Sequence, residues 1–167
     1  MTVPALKAPD TAWRFVSASE EDTRKLGQTL GAGVTGGEVL ALIGELGTGK
    51  TRFVQGLADG LGVEPRRVSS PTFAIRHDHV GRLTLLHLDF YRLHDADEID
   101  WLGVLEAPEG AVVAIEWADR LPDALPADRL DIVFSAAPGP EGRVLSWTAR
   151  GPRYERTLAA VRAVHGG

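Results

Sequence analysis

The chain has no cysteine, which excludes a disulfide framework, a thiolate zinc site and a thiol nucleophile together. It has no asparagine either, so the N-K-x-D element with which regulatory GTPases commonly read guanine is missing. Lysine is scarce: Lys7, Lys25 and Lys50 are the whole complement. The formal net charge is -5, which argues against a chain that grips DNA or RNA on a basic face of its own. No apolar run approaches the length of a membrane span, and the opening MTVPALKAPD lacks the apolar core of a secretory signal. The expected location is the cytoplasm, with no membrane partner.

What remains suits a folded core. The 167 residues are 44% hydrophobic and 25% charged, in the range of one globular domain. Residues 1–12, with Pro4 and Pro9, read as a loose tail, and residues 13–167 as a single domain. Trp13–Val16 is a short strand candidate. Ser19 followed by Glu20, Glu21 and Asp22 is a helix start, with a capping hydroxyl and acids at the positive end of the dipole. Leu26, Leu30 and Val34 continue it at helical spacing. Val39–Ile43 is a short apolar run of the kind buried on both faces of a sheet. From Thr51, the residues Phe53, Val54, Leu57, Ala58 and Leu61 mark a second helix that Gly62 ends.

Further on, Phe73–His77 and Leu83–Leu88 read as a pair of strands turned by Gly81. Asp95–Leu105 is a helix candidate with Ile99, Leu102 and Leu105 inward, and Trp101 beside them as core. Val112–Ile115 is another buried strand. Leu130, Ile132 and Phe134 alternate, and Val144, Ser146 and Thr148 share one face, so a late hairpin is joined by APGPEG. Tyr154, Leu158 and Val161 space a closing helix. Strands alternating with helices imply an α/β fold with helices on both sides of the sheet.

One stretch carries chemistry directly. GELGTGKT, from Gly44 to Thr51, matches the Walker A pattern G-x-x-x-x-G-K-S/T between a strand and a helix. A chain of this composition would match it by chance about 0.4% of the time. Gly44, Gly47 and Gly49 let the backbone curl until successive N–H groups face one hollow, through Leu46, Gly47, Thr48 and Gly49. The helix that follows adds roughly half a positive charge. Lys50 reaches phosphate oxygens, and the Thr51 hydroxyl suits magnesium. The fold expected is therefore the three-layer αβα arrangement of P-loop NTPases, with a central, mostly parallel, mixed sheet.

Two apolar runs end in acids: LLHLD at Asp89 and VVAIE at Glu116. Ligands of open α/β sheets lie beyond the carboxyl ends of the strands, so both acids reach the cradle if their strands run parallel to Val39–Ile43. A triphosphate site needs an acid for the metal shell and a group to orient the attacking water. Spacing alone does not say which acid does which.

The set GELGTGKT, SPTF (Ser70–Phe73), HLDFYRL (His87–Leu93) and IEW (Ile115–Trp117) strongly resembles the TsaE (YjeE) family, over roughly Ser19 to Val144. That resemblance implies a bacterial ATPase of tRNA threonylcarbamoyladenosine synthesis that uses ATP and magnesium. It is expected to support a TsaD–TsaB complex, to meet tRNA only indirectly and to leave DNA alone. It assigns Thr51 and Glu116 to magnesium, Asp89 with Lys50 to catalysis, and Thr72 to a water or phosphate contact in a switch-like loop. Trp117 is expected near the nucleotide, and Thr23 near the adenine. The hairpin ending at Arg143 is expected by the base, with a solvated turn arginine as the plain alternative. Leu88 and Phe90 exchange the usual apolar types, Ala118 stands where a proline is usual, and a tyrosine is replaced near His79. Arg92 is expected in a structural ion pair and Arg66 with Arg67 in solvent. The five histidines show no zinc spacing. The rival readings are a small-molecule phosphotransferase on the same cradle, a regulatory GTPase, and a binding module whose nucleotide is only structural.

Overall fold

The computed structural model describes residues 11–102 and 106–166, without the side chains of residues 100–102. Residues 1–10 of the expected tail, and the inward positions expected of Trp101, Leu102 and Leu105, lie outside the described residues. Seven strands, β1 (Ala12–Ser17), β2 (Val39–Ile43), β3 (Arg76–His79), β4 (Leu85–Asp89), β5 (Val112–Glu116), β6 (Arg129–Ala136) and β7 (Arg143–Arg150), form one mixed sheet. Their order is β1-β7-β6-β2-β5-β4-β3. The inner four, β6-β2-β5-β4, are parallel, and the flanking pairs are antiparallel. This is the α/β fold expected. Every residue of β4 and β5 is buried, which is why these strands read as continuous apolar runs rather than alternating ones.

Helices α1 (Glu20–Gly33), α2 (Lys50–Gly60) and α4 (Pro152–His165) cover one face. Their Leu26, Leu30, Phe53, Leu57 and Leu158 pack on Leu40, Ala114, Ile132 and Trp147 of the sheet. The other face is covered more thinly. Helix α3 (Ala96–Leu102) and two 3-10 turns, at Ala118–Arg120 and Pro122–Ala124, bring Ile99, Ala118 and Leu121 onto Leu86, Leu88 and Ile115. Ser19 caps α1 as expected, its hydroxyl accepting from the Asp22 N–H at 3.1 Å. Asp95 caps α3, accepting from the Glu98 N–H at 3.0 Å, while the Glu98 carboxylate accepts from the His94 N–H.

One expected strand starts late. Phe73–His77 reads as extended from its apolar residues, yet residues 72–75 turn and β3 begins only at Arg76. The Ile75 N–H donates to the Pro71 carbonyl and closes that turn. Ile75 is left at φ 69, a costly conformation for a β-branched side chain. Phe73 is thrown outward, 86% exposed.

Helices α1 and α2 meet backbone to backbone, and this contact aims α1 at the cradle. A Cβ on Gly27 or Gly31 of α1 would collide with the Phe53 or Leu57 carbonyl oxygen of α2. A Cβ on Gly56 or Gly60 of α2 would collide with those of Arg24 or Gln28. Because the obstacle is backbone in both directions, no rotamer change relieves it. Overpacking costs about 1–3 kcal/mol, partly offset by the roughly 1 kcal/mol that alanine gains over glycine in a helix. With the Cβ only 2.1 Å from the Phe53 carbonyl oxygen, Gly27→Ala should fall at the upper end of the difference and lose up to about 2 kcal/mol, seen as a lower urea midpoint at unchanged slope.

Candidate functional site

The turn after β2 is shaped by positive φ at Gly47 (78°) and Gly49 (98°), conformations that side-chain-bearing residues rarely adopt. The Thr48 hydroxyl donates to the Glu45 carbonyl at 2.7 Å and closes the tip. Gly49 is the N-cap of α2 and carries no side chain to cap it, so the first-turn N–H groups of α2 have no capping side chain. A glycine turn opening into an uncapped helix start is the physical arrangement that attracts an anion.

Lys50 is only 5% exposed. Its ammonium donates to the Gly44 carbonyl and, at 2.9 Å, to the Glu45 carbonyl. It also sits 4.4 Å from the centroid of the Trp117 ring. Burial pushes its pKa below the usual lysine range, while the carboxylates of Glu116 and Asp89 pull the other way.

Strand register brings the acids to this place. Leu42 pairs with Glu116 and Asp89 pairs with Glu116, so all three strand ends lie at one edge. Glu116, 3% exposed, accepts from the Thr51 hydroxyl at 2.9 Å on Oε1. Its Oε2 lies 2.6 Å from Nε2 of His87, which is fully buried. Asp89, 1% exposed, accepts on Oδ2 from the hydroxyls of Ser70 (3.0 Å) and Thr72 (2.9 Å). Its Oδ1 accepts from the Tyr91 N–H at 2.8 Å.

These groups surround an open cleft of about 340 Å³. Of the residues expected there, Leu46, Gly47, Gly49, Lys50, Thr51 and Glu116 line it. So do Trp117, next to Glu116, and Thr23, Thr72 and Arg143, from three other parts of the chain. Two expected residues do not. Thr48 is spent on the tip of the turn, and Asp89 stands one hydroxyl back, behind Ser70 and Thr72. Thr23 stands over the cradle, its methyl carbon 3.6 Å from where a Cβ of Gly49 would be. Arg143 is no solvated turn residue: its guanidinium donates to the Gly47 carbonyl at 2.9 Å. Among the described residues Arg92 has no acid within ion-pair distance, against the expected ion pair. It stacks 5.5 Å from the Phe73 ring centroid and donates to the Phe73 carbonyl, because the late start of β3 leaves that turn within its reach.

Residue reasoning passed over two contributors. Ser70 enters the sequence reading as the start of SPTF, and His87 as the start of HLDFYRL and one of five histidines without zinc spacing, neither with a role of its own. The signal for His87 was its place: a lone imidazole in an otherwise apolar strand, two residues before an acid. Among the described residues, no group of three or more His, Cys, Asp or Glu side chains is arranged to hold a metal by itself. A magnesium ion carried by a nucleotide needs only one or two protein oxygens, and the adjacent Thr51 hydroxyl and Glu116 carboxylate fit that requirement.

Fold and site define the class: a mixed-sheet α/β protein whose polar machinery gathers at the carboxyl edge of its parallel strands, around a glycine-rich strand-to-helix turn. A family model described as "Threonylcarbamoyl adenosine biosynthesis protein TsaE" matches residues 17–143. The tRNA threonylcarbamoyladenosine biosynthesis protein TsaE of Bacillus subtilis is 42% identical over 145 residues, 86% of this chain and 88% of the relative. The protein of the same name from Treponema pallidum is 42% identical over 114 residues, 68% of this chain and 84% of the relative. The crystal structure of Bacillus subtilis YdiB superposes with a TM-score of 0.73 at 31% identity, covering 93% of this chain and 97% of that one. The chain belongs to the TsaE family. Among the described residues, no helix is long and apolar enough to cross a membrane.

Proposed function

We propose that this protein binds magnesium–ATP in the cleft and hydrolyses it slowly to ADP and phosphate, as a single-domain cytoplasmic ATPase. Its nucleotide cycle supports a TsaD–TsaB complex that transfers threonylcarbamoyl to adenosine of tRNAs decoding ANN codons. The observation that carries this reading is the 2.9 Å contact between Thr51 at the mouth of the glycine turn and Glu116 at the end of β5. A hydroxyl and a carboxylate so placed, beside a buried lysine, are an arrangement for a metal-borne polyphosphate.

The roles follow from position. The cradle N–H groups and Lys50 hold phosphate oxygens. Thr51 and Glu116 hold magnesium, which when bound neutralises charge on those oxygens. Thr72 presents its hydroxyl to the cleft, and Asp89 orders it. Thr23 and Arg143 flank the turn where the nucleoside would leave it. The acidic composition suits contact with other proteins, with tRNA reached through them.

The test uses the purified chain. Calorimetric titration should show saturable ATP binding that strengthens with magnesium, and a phosphate assay should show slow release. Co-sedimentation with TsaD and TsaB should depend on whether ATP or ADP is present. Absence of magnesium-dependent binding would remove the reading; absence of nucleotide-dependent association would leave the ATPase without its partners.

A further inference from the structure

Glu116 has both carboxylate oxygens engaged, and neither partner belongs to its own strand. Thr51 at the start of α2 takes Oε1, and His87 on β4 takes Oε2 at 2.6 Å. Both His87 and Glu116 are shut away from solvent, at 0% and 3% side-chain exposure. The contact is built by register. Asp89 is the partner of Glu116 across β4 and β5, and His87, two residues earlier, projects to the same face as Asp89. The residues between and beside them, Leu86 and Leu88, face the opposite core.

The other ring nitrogen settles where the proton is. Nδ1 of His87 is buried and has no hydrogen-bond partner among the described residues. A proton there would be a stranded donor, whereas a bare lone pair costs less, and a carboxylate facing Nε2 requires a donor on that side. His87 is therefore the Nε2–H tautomer. In that form the ring gives Glu116 one N–H.

We infer that His87 is the positioning residue of the metal site: its Nε2–H pins one oxygen of Glu116, so that the other is held toward Thr51 and the cleft. This rests on the reading of Thr51 and Glu116 as magnesium ligands. Without the histidine, a buried glutamate with rotatable bonds would have one fixed partner instead of two. Partners behind a metal ligand typically change metal affinity 10- to 100-fold when removed.

The test compares the wild type with His87→Leu, which keeps the bulk and removes the donor, and His87→Gln, whose amide N–H reaches about as far as Nε2–H. In calorimetric titrations, His87→Leu should raise the magnesium needed for half-maximal ATP binding by about 10-fold or more, while His87→Gln stays within about 3-fold of wild type. Affinity for ATP without magnesium should be unchanged in both. A wholly structural role would not separate the two variants in this way. On the metal-free wild type, ¹⁵N spectra should show the histidine whose signals are absent from both variants in the Nε2–H tautomer, with its N–H shifted by the bond to the carboxylate. A wild-type magnesium response in His87→Leu, a His87→Gln as weak as His87→Leu, or an Nδ1–H tautomer would each overturn the inference while leaving the ATPase reading intact. A wild type with no magnesium-dependent ATP binding at all would sink that reading, and this inference with it.

Discussion

Lys50→Ala should lose ATP affinity by at least about 100-fold in a calorimetric titration, with the fold intact. Hydrogen bonds from a charged donor are worth about 1.5–3 kcal/mol each, and an ammonium placed between phosphates makes two. The sum of roughly 3–6 kcal/mol is about two to four powers of ten. Charge balance points the same way. The cleft is lined by Lys50, Arg52 and Arg143 on one side of the ledger and by Glu20, Glu116 and Glu141 on the other. Removing Lys50 tips an evenly balanced cleft negative, against a ligand that is itself strongly negative.

The variant should not unfold. Burial pushes the Lys50 pKa below its ordinary value, so the charged form costs the folded state more than the unfolded one. At any pH below that lowered pKa, alanine removes the cost. The melting temperature is expected to hold or rise, which separates lost binding from lost structure. The interactions given up are two loop carbonyls and the face of Trp117, and the carbonyls of an exposed turn can return to water. Unchanged affinity in this variant would remove the cradle assignment.

Much of this was legible from residues alone, for physical reasons that differ by element. The glycine turn was readable because its φ requirements admit few residues, and the neighbouring Lys50 and Thr51 have fixed offsets from it. The acids were readable because a carboxylate is expensive at the end of a buried strand, so Asp89 and Glu116 stood out against apolar runs. What was not legible depends on contacts across the sheet or between helices. His87 and Glu116 are 29 positions apart and meet only because β4 lies beside β5 in one particular register. Arg143 reaches Gly47 because β6 ends and β7 begins at the cradle side, which composition does not express. The delayed start of β3 hides behind Phe73 and Ile75, apolar residues that look like strand and are held in a turn by Pro71. Four glycines, at 27, 31, 56 and 60, are poor helix formers on their own, yet they let α1 and α2 meet backbone to backbone, a contact single-helix patterns do not express.

The position of Asp89 sharpens the second large prediction. Its carboxylate does not line the cleft; it holds the hydroxyls of Ser70 and Thr72, both of which line the opening. In Asp89→Asn the side chain keeps its shape. Its oxygen can still accept from the Tyr91 N–H, and rotatable hydroxyls can accept from its amide, so the loop keeps its place. What is lost is the negative charge that makes the Thr72 hydroxyl a directed, polarised group. ATP affinity should then hold or improve, since a buried anion has been removed from the neighbourhood of phosphates. Single-turnover phosphate release should fall by about 100-fold or more, the size of a general acid–base or water-orienting contribution. If Asp89 works through the hydroxyl, Thr72→Val should lose turnover to a similar degree and Thr72→Ser should recover most of it. Should Asp89→Asn be slow while Thr72→Val is fast, the carboxylate must reach the water itself, which would require Ser70 and Thr72 to swing away from it. Full phosphate release in Asp89→Asn would take the acid out of the chemistry and leave it as the clasp of the Ser70–Thr72 turn.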